Sequence, residues 1–171
     1  MNLFDFAMKM EADGKAYYEK LARQSSLAGL RTIFTRLAED EQKHYEIFQA
    51  LLTSGKAPTM PESTALADAR NIFTECLKDA AAVTPGKDEL AAYRQAMKLE
   101  ADSFRLYEEA AAKEAVPGVR SLLLKIAGEE HKHFNILENI FHFANAPNQY
   151  LAWGEFSNLD EFRQFGRQVD G

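Results

Sequence analysis

Thiol chemistry is almost missing from this chain: its 171 residues include one cysteine, Cys76. That excludes an internal disulfide, a Cys-x-x-Cys redox pair, a zinc ribbon and a four-thiolate iron site. Cys76 is expected to serve as a small buried hydrophobe. Long apolar runs are missing too, for no stretch approaches the roughly 18 apolar residues of a membrane span. Met1-Asn2-Leu3-Phe4-Asp5 is neither a charged leader nor followed by a long apolar run. No signal peptide is visible, so the cytoplasm is the expected location. Positive charge is in short supply: 20 Lys and Arg face 26 Asp and Glu, a net charge of −6. This argues against nucleic acid and anionic membranes as partners. The five prolines (Pro58, Pro61, Pro85, Pro117 and Pro147) fall where helical patterns start, stop or turn. With 46% hydrophobic and 27% charged residues, what remains is one globular domain with a substantial core.

The organising stretch is Leu30 to Leu51. Its members Leu30, Phe34, Leu37, Glu41, His44, Phe48 and Leu51 alternate in steps of four and three, the stripe of a core-facing helix. Glu41 and His44 are out of place in such a stripe, and one helical turn separates them. A buried, unpaired carboxylate costs several kcal/mol, so something must compensate it.

The arrangement occurs twice. Adding 89 to each position gives Val119, Leu123, Ile126, Glu130, His133, Leu137 and Ile140. The same offset carries Ala7-Met8-Lys9-Met10-Glu11-Ala12-Asp13 onto Ala96-Met97-Lys98-Leu99-Glu100-Ala101-Asp102, Gly29 onto Gly118 and Arg31 onto Arg120. A helical hairpin has been duplicated within the chain.

The chain therefore reads as all-α. A first helix runs from about Leu3 to Gln24 with the seam Phe4, Ala7, Glu11, Gly14, Tyr18 and Leu21. Ser25 to Gly29 breaks it, and so short a link makes the next helix, about 29–53, its antiparallel neighbour. An extra helix from about Thr64 to Ala82, capped by Ser63, lies within a long crossover over 55–87, its apolar positions including Ile72, Phe73 and Leu77. Thr84-Pro85 signals the start of a helix reaching Lys113, with the seam Tyr93, Ala96, Glu100, Ser103, Tyr107 and Ala110. Pro117-Gly118 opens the last helix, which continues to about Ala144. Residues 1–144 make the bundle. The tail over 145–171 carries Tyr150, Trp153, Phe156, Phe162 and Phe165, too aromatic for disorder, and is expected to dock on the bundle or on a second copy.

Each of four helices thus places a carboxylate mid-seam: Glu11, Glu41, Glu100 and Glu130. Two add a histidine one turn later, His44 and His133. Four carboxylates and two neutral imidazoles around two divalent cations make a neutral cluster, which resolves the desolvation problem. Such an inventory is that of di-iron and di-manganese carboxylate bundles. Oxygen and imidazole ligands without thiolate suit iron first, then manganese or zinc.

On Ala7-Met-Lys-Met-Glu11, Glu41-Gln-Lys-His44, Ala96-Met-Lys-Leu-Glu100 and Glu130-His-Lys-His133, the chain resembles the ferritin-like superfamily and, within it, the rubrerythrin-type bundles. The resemblance implies that Glu41 and Glu130 bridge two irons, that Glu11 and Glu100 are terminal ligands, and that His44 and His133 bind one metal each. It implies an oxidoreductase that reacts a di-ferrous centre with hydrogen peroxide or dioxygen, is reduced by a separate donor protein, and forms a homodimer. Ferroxidase activity with iron storage, or a non-enzymatic metal module, are the other readings. The family's additional glutamate one turn after the third-helix ligand is here Ser103, and Gly14 holds the matching place on the first helix. These small residues leave space beside the carboxylates for water, dioxygen or peroxide.

Tyr18 and Tyr107 follow Glu11 and Glu100 by two turns on the same face. They are expected either to donate hydrogen bonds or electrons to the cluster, or to be core aromatics with satisfied hydroxyls. His131 and His142 fall off the seam and read as surface or flanking residues. Met8, Met10 and Met97 read as core filler, and Asp13 and Asp102 as solvated or inter-helix charges.

Overall fold

In the computed structural model, which describes residues 2–76, 87–145 and 165, Asn2 starts the first helix. Its side-chain oxygen accepts from the backbone N–H of Phe4 (2.8 Å) and Asp5 (3.0 Å), donors the first turn cannot satisfy itself. Helix α1 runs over Leu3–Gln24 and stops where the Ser25 N–H returns to the Leu21 carbonyl. Three residues later α2 begins, spanning Ala28–Ser54. It ends at Gly55, whose φ of 66° is the left-handed conformation that glycine adopts without penalty. Helices α3 (Ala65–Cys76), α4 (Lys87–Lys113) and α5 (Pro117–Asn145) complete the described structure, which contains no strand among the described residues.

Helix α1 pairs with α2 along its length, and α4 pairs with α5. The two hairpins meet through α1 and α4, while α3 lies on α2 and α5. Even the hairpin turns repeat. Arg31 donates to the Ser25 carbonyl at 3.0 Å, and Arg120 donates to the Glu114 carbonyl at 2.7 Å, each pair 89 residues from its counterpart.

Both predicted seams are buried throughout, from Leu30 to Leu51 and from Val119 to Ile140. Phe34 stacks between Tyr18 and Tyr93, with centroids 6.5 and 5.8 Å away. Phe48 lies between Phe4 (6.1 Å) and Tyr107 (5.2 Å). Each such ring contributes about 1.5–3 kcal/mol by leaving water. These two aromatic layers bracket the acidic centre and wall it off from solvent.

The expected boundaries hold to within a residue or two wherever the structure describes them. Helix α3 begins at Ala65, with Ala65 and Ala69 buried and Leu66 and Ile72 half-buried. The calls for Leu77, for helix out to Ala82 and for a start at Thr84-Pro85 lie outside the described residues, as does the tail except Asn145, which ends α5, and Phe165. The Phe165 ring meets Phe134 edge-on at 5.0 Å, and its carbonyl accepts from Arg105 at 3.1 Å. No helix among the described residues is long and apolar enough to cross a membrane.

Candidate metal centre

The middle of the bundle gathers all six side chains singled out by the repeat. Glu11, Glu41, His44, Glu100, Glu130 and His133 are each at most 4% exposed. They form two overlapping sets of donor atoms, each set lying within 4.8 Å of one another. One set is Glu11, Glu41, His44 and Glu130; the other is Glu41, Glu100, Glu130 and His133. Glu41 and Glu130 belong to both. The two imidazoles stack with centroids 5.9 Å apart and planes inclined by 21°.

Whether these residues fit a pair of cations can be judged from their unused atoms. Glu11 Oε2, Glu41 Oε1, His44 Nδ1, Glu100 Oε2, Glu130 Oε1 and His133 Nδ1 are buried and make no hydrogen bond. One such atom belongs to every member of the cluster. Some approach closely without the geometry of a bond: His44 Nδ1 is 2.9 Å from Glu130 and 3.4 Å from Glu11, and His133 Nδ1 is 3.0 Å from Glu41 and 3.5 Å from Glu100. Buried polar atoms without partners are rare because each costs about 1–3 kcal/mol. Six converging on one centre fit a pair of cations.

The opposite edge of each imidazole is engaged. His44 Nε2 lies 2.7 Å from Glu129 Oε2, and His133 Nε2 lies 3.0 Å from Asp40 Oδ2. Each carboxylate comes from the other hairpin. A carboxylate only accepts, so each Nε2 carries a proton, and Nδ1 is the nitrogen left to face a cation. Burial works against an ionised Asp40, but His133 and Ser63 outweigh it and hold its carboxyl well below the usual range. Sequence reasoning missed Asp40 and Glu129. The signal was present, since they too are separated by 89 positions.

The tyrosines also cross over. Tyr18 donates to Glu100 and Tyr107 donates to Glu11, each hydroxyl reaching the glutamate of the opposite hairpin. Burial and the surrounding glutamates push both phenols well above their ordinary value, so both keep the proton they donate.

Without cations, crowding sets the titration. Burial and then neighbouring carboxylates push Glu41 and Glu130 well up. Burial also opposes charge on His44 and His133, yet the carboxylates around them outweigh it and raise both. Glu11 moves the other way: His44 beside it outweighs burial. Protons thus occupy places that cations would neutralise.

A cavity of about 90 Å³ leads to this centre between α1 and α4. Glu41, Glu100, Glu130 and Tyr18 lie at its inner end; Met10, Asp13, Tyr17 and Leu99 line the rest, with Gly14 and Ser103 beside the carboxylates. Tyr17 ties the two helices together by donating to the Ala92 carbonyl at 2.9 Å. A larger, shallow hollow of about 760 Å³ lies on the outer face of α1 and α2, lined by none of the six cluster residues.

The other sequence candidates stay outside the centre. His131 is half-buried against Phe104 at 6.0 Å, and His142 is exposed beside Glu138. Asp13 pairs with Lys9, and Asp102 with Lys98 and Arg105. Met97 is buried and Met8 packs on the core, while Met10 lines the cavity.

A helical bundle made of two matched hairpins, with a buried carboxylate–histidine cluster between them, is the arrangement of ferritin-like proteins. The family model for rubrerythrin matches residues 2–141, and the chain belongs to the rubrerythrin family. No curated protein and no solved structure matches it.

Proposed function

We propose that this protein is a di-iron oxidoreductase acting on a small oxidant, hydrogen peroxide or dioxygen. What supports this reading most directly is the convergence of six buried donor atoms that form no hydrogen bond, one on each of six side chains from four helices. Glu41 and Glu130, common to both donor sets, would bridge two irons; Glu11 with His44 and Glu100 with His133 would complete the two positions. When bound, the iron pair supplies two electrons to the oxidant.

The rest is the work of the chain. Tyr107 and Tyr18 hold Glu11 and Glu100 through one oxygen each, leaving the other oxygen free for a cation. Glu129 and Asp40 fix the histidine rings and their proton-bearing edge. The α1–α4 cavity admits molecules of the size of water, dioxygen or peroxide, and the aromatic layers exclude bulk solvent. The Ser103 hydroxyl at the cavity wall offers a hydrogen bond to whatever enters. Electrons to restore the reduced state would come from a separate protein, and the working form is proposed to be a homodimer.

Ser103 also favours a second reading. Where relatives of rubrerythrin type carry a further glutamate, this chain has a buried hydroxyl, leaving a six-ligand set suited to dioxygen and ferrous iron oxidation. One experiment tests both readings. Anaerobic protein loaded with two Fe(II) per chain is mixed rapidly with hydrogen peroxide or with dioxygen. A fast absorbance change with either supports an oxidoreductase, and the faster oxidant identifies which. Protein that binds two Fe(II) but changes slowly with both is a metal-bound module instead.

A further inference from the structure

Almost every feature of the centre comes in pairs separated by 89 positions: Glu11 and Glu100, Tyr18 and Tyr107, Asp40 and Glu129, His44 and His133. Ser63 has no such counterpart, because position 152 is an alanine. Yet Ser63, in the link between α2 and α3, touches both carboxylates that hold the histidines. Its hydroxyl donates to Asp40 Oδ2, the same oxygen that meets His133 Nε2 at 3.0 Å. Its backbone N–H donates to Glu129 Oε1 at 2.9 Å, while the other oxygen of Glu129 meets His44 at 2.7 Å. The same hydroxyl accepts from the Ala65 N–H at 3.1 Å, tying the arrangement to the first turn of α3.

We infer that Ser63 is a positioning residue for both histidines, and that its hydroxyl serves the His133 half alone. This rests on the metal reading above. The asymmetry follows from which atom does each job. Asp40 is held by a side-chain hydroxyl, which a substitution can remove. Glu129 is held by a peptide N–H, which every residue except proline retains. Asp40 also meets Lys43, but through its other oxygen, at 3.5 Å and with the lysine side chain 54% exposed, too long and too hydrated a contact to replace a buried hydroxyl on Oδ2. Without the Ser63 hydroxyl, Asp40 gains rotational freedom and His133 loses the fixed orientation of its Nδ1. The His44 half keeps both of its bonds. Carboxylates that orient metal-binding histidines typically matter by 10–100-fold in metal affinity, and the loss should fall on one of two otherwise matched positions.

Calorimetric titration of the metal-free protein with Co(II), followed by the visible spectrum of the bound ion, tests this. Wild type should take up two ions per chain. Ser63→Ala should keep one at wild-type affinity and weaken the other at least tenfold, and Ser63→Thr, which keeps the hydroxyl, should restore it. Asp40→Asn should weaken the same ion, and adding Ser63→Ala to it should cause little further loss. If Ser63→Ala matches a wild type that binds two ions, or weakens both equally, the inference is overturned while the metal reading stands. A wild type that binds fewer than two ions overturns the metal reading and this inference with it.

Discussion

Gly14 faces Glu41 so closely that a methyl group in place of its hydrogen would lie 3.0 Å from Glu41 Oε2. In the metal-free protein that oxygen is the end of a side chain and can give way by a few tenths of an ångström. Alanine is also the better helix former, by up to about 1 kcal/mol. Gly14→Ala should therefore leave metal-free stability unchanged or slightly raised in urea denaturation. A Glu41 shared by two ions cannot move aside, so the second Co(II) should bind at least tenfold more weakly. Unchanged affinity would show that Glu41 does not use that position.

Replacing Tyr107 or Tyr18 by Phe keeps the stacking on Phe48 or Phe34 but removes the donor to Glu11 or Glu100. Each change leaves a buried carboxylate oxygen without its partner, worth about 1–3 kcal/mol. The two variants should behave alike, because the repeat relates them. Chemical denaturation of both, with and without Co(II), measures this. If both were neutral, the hydroxyls would be incidental and the rings would matter only as filler.

The metal-free protein should lose stability as the pH rises above 6.5, the ordinary histidine value. His44 and His133 sit above their ordinary value of 6.5, and Glu41 and Glu130 above 4.5, so the folded state holds protons that the unfolded chain releases. Their contribution is complete below the unfolded values and disappears as pH climbs through the raised ones. Glu11 and Asp40 have lowered values and act oppositely, losing their contribution only in acid, outside this window. Cations replace the protons, so metal affinity should rise over the same range, with protons released on binding. Thermal unfolding in the presence of a chelator at three pH values checks the first part, and calorimetry in buffers of different ionisation enthalpy the second. Metal-free protein that grew more stable with rising pH would contradict this account.

Much of this centre could be read from the chain because helical periodicity and duplication act on the same residues. Glu41 and His44 violate an apolar seam, and the violation recurs at Glu130 and His133, so the burial of these side chains and their gathering at one centre were legible together. Asp40 and Glu129 were not, although they obey the same offset. Each precedes a seam glutamate, which turns it about 100° around its helix. Only when α2 and α5 face each other does that position meet the other hairpin's histidine. Ser63 reads as the cap of a helix starting at Thr64; α3 starts at Ala65, one residue further on, and the Ser63 hydroxyl accepts from the Ala65 N–H. Its hold on Asp40 and Glu129 depends on where a link of irregular backbone passes over the bundle, which no periodic pattern encodes.

The acidic seam positions should cost the metal-free fold stability and return it only with cations. Glu41 and Glu130 are buried, crowded by other carboxylates, and driven to keep their protons. Leucine fits a seam of this spacing, and replacing buried ionic groups with apolar ones of similar volume often stabilises by about 1–4 kcal/mol. The double change Glu41→Leu with Glu130→Leu should therefore raise the urea midpoint of the metal-free protein and abolish uptake of both ions. Glu130→Ala alone should also abolish the pair, but without the gain, since it leaves a cavity. Wild type should overtake the double leucine variant once Co(II) is added, because an ion at 100 times its dissociation constant adds about 2.7 kcal/mol. Urea denaturation of the three proteins with and without Co(II) decides it. If the double leucine variant were less stable than metal-free wild type, the carboxylates would be supporting the fold themselves rather than waiting for cations.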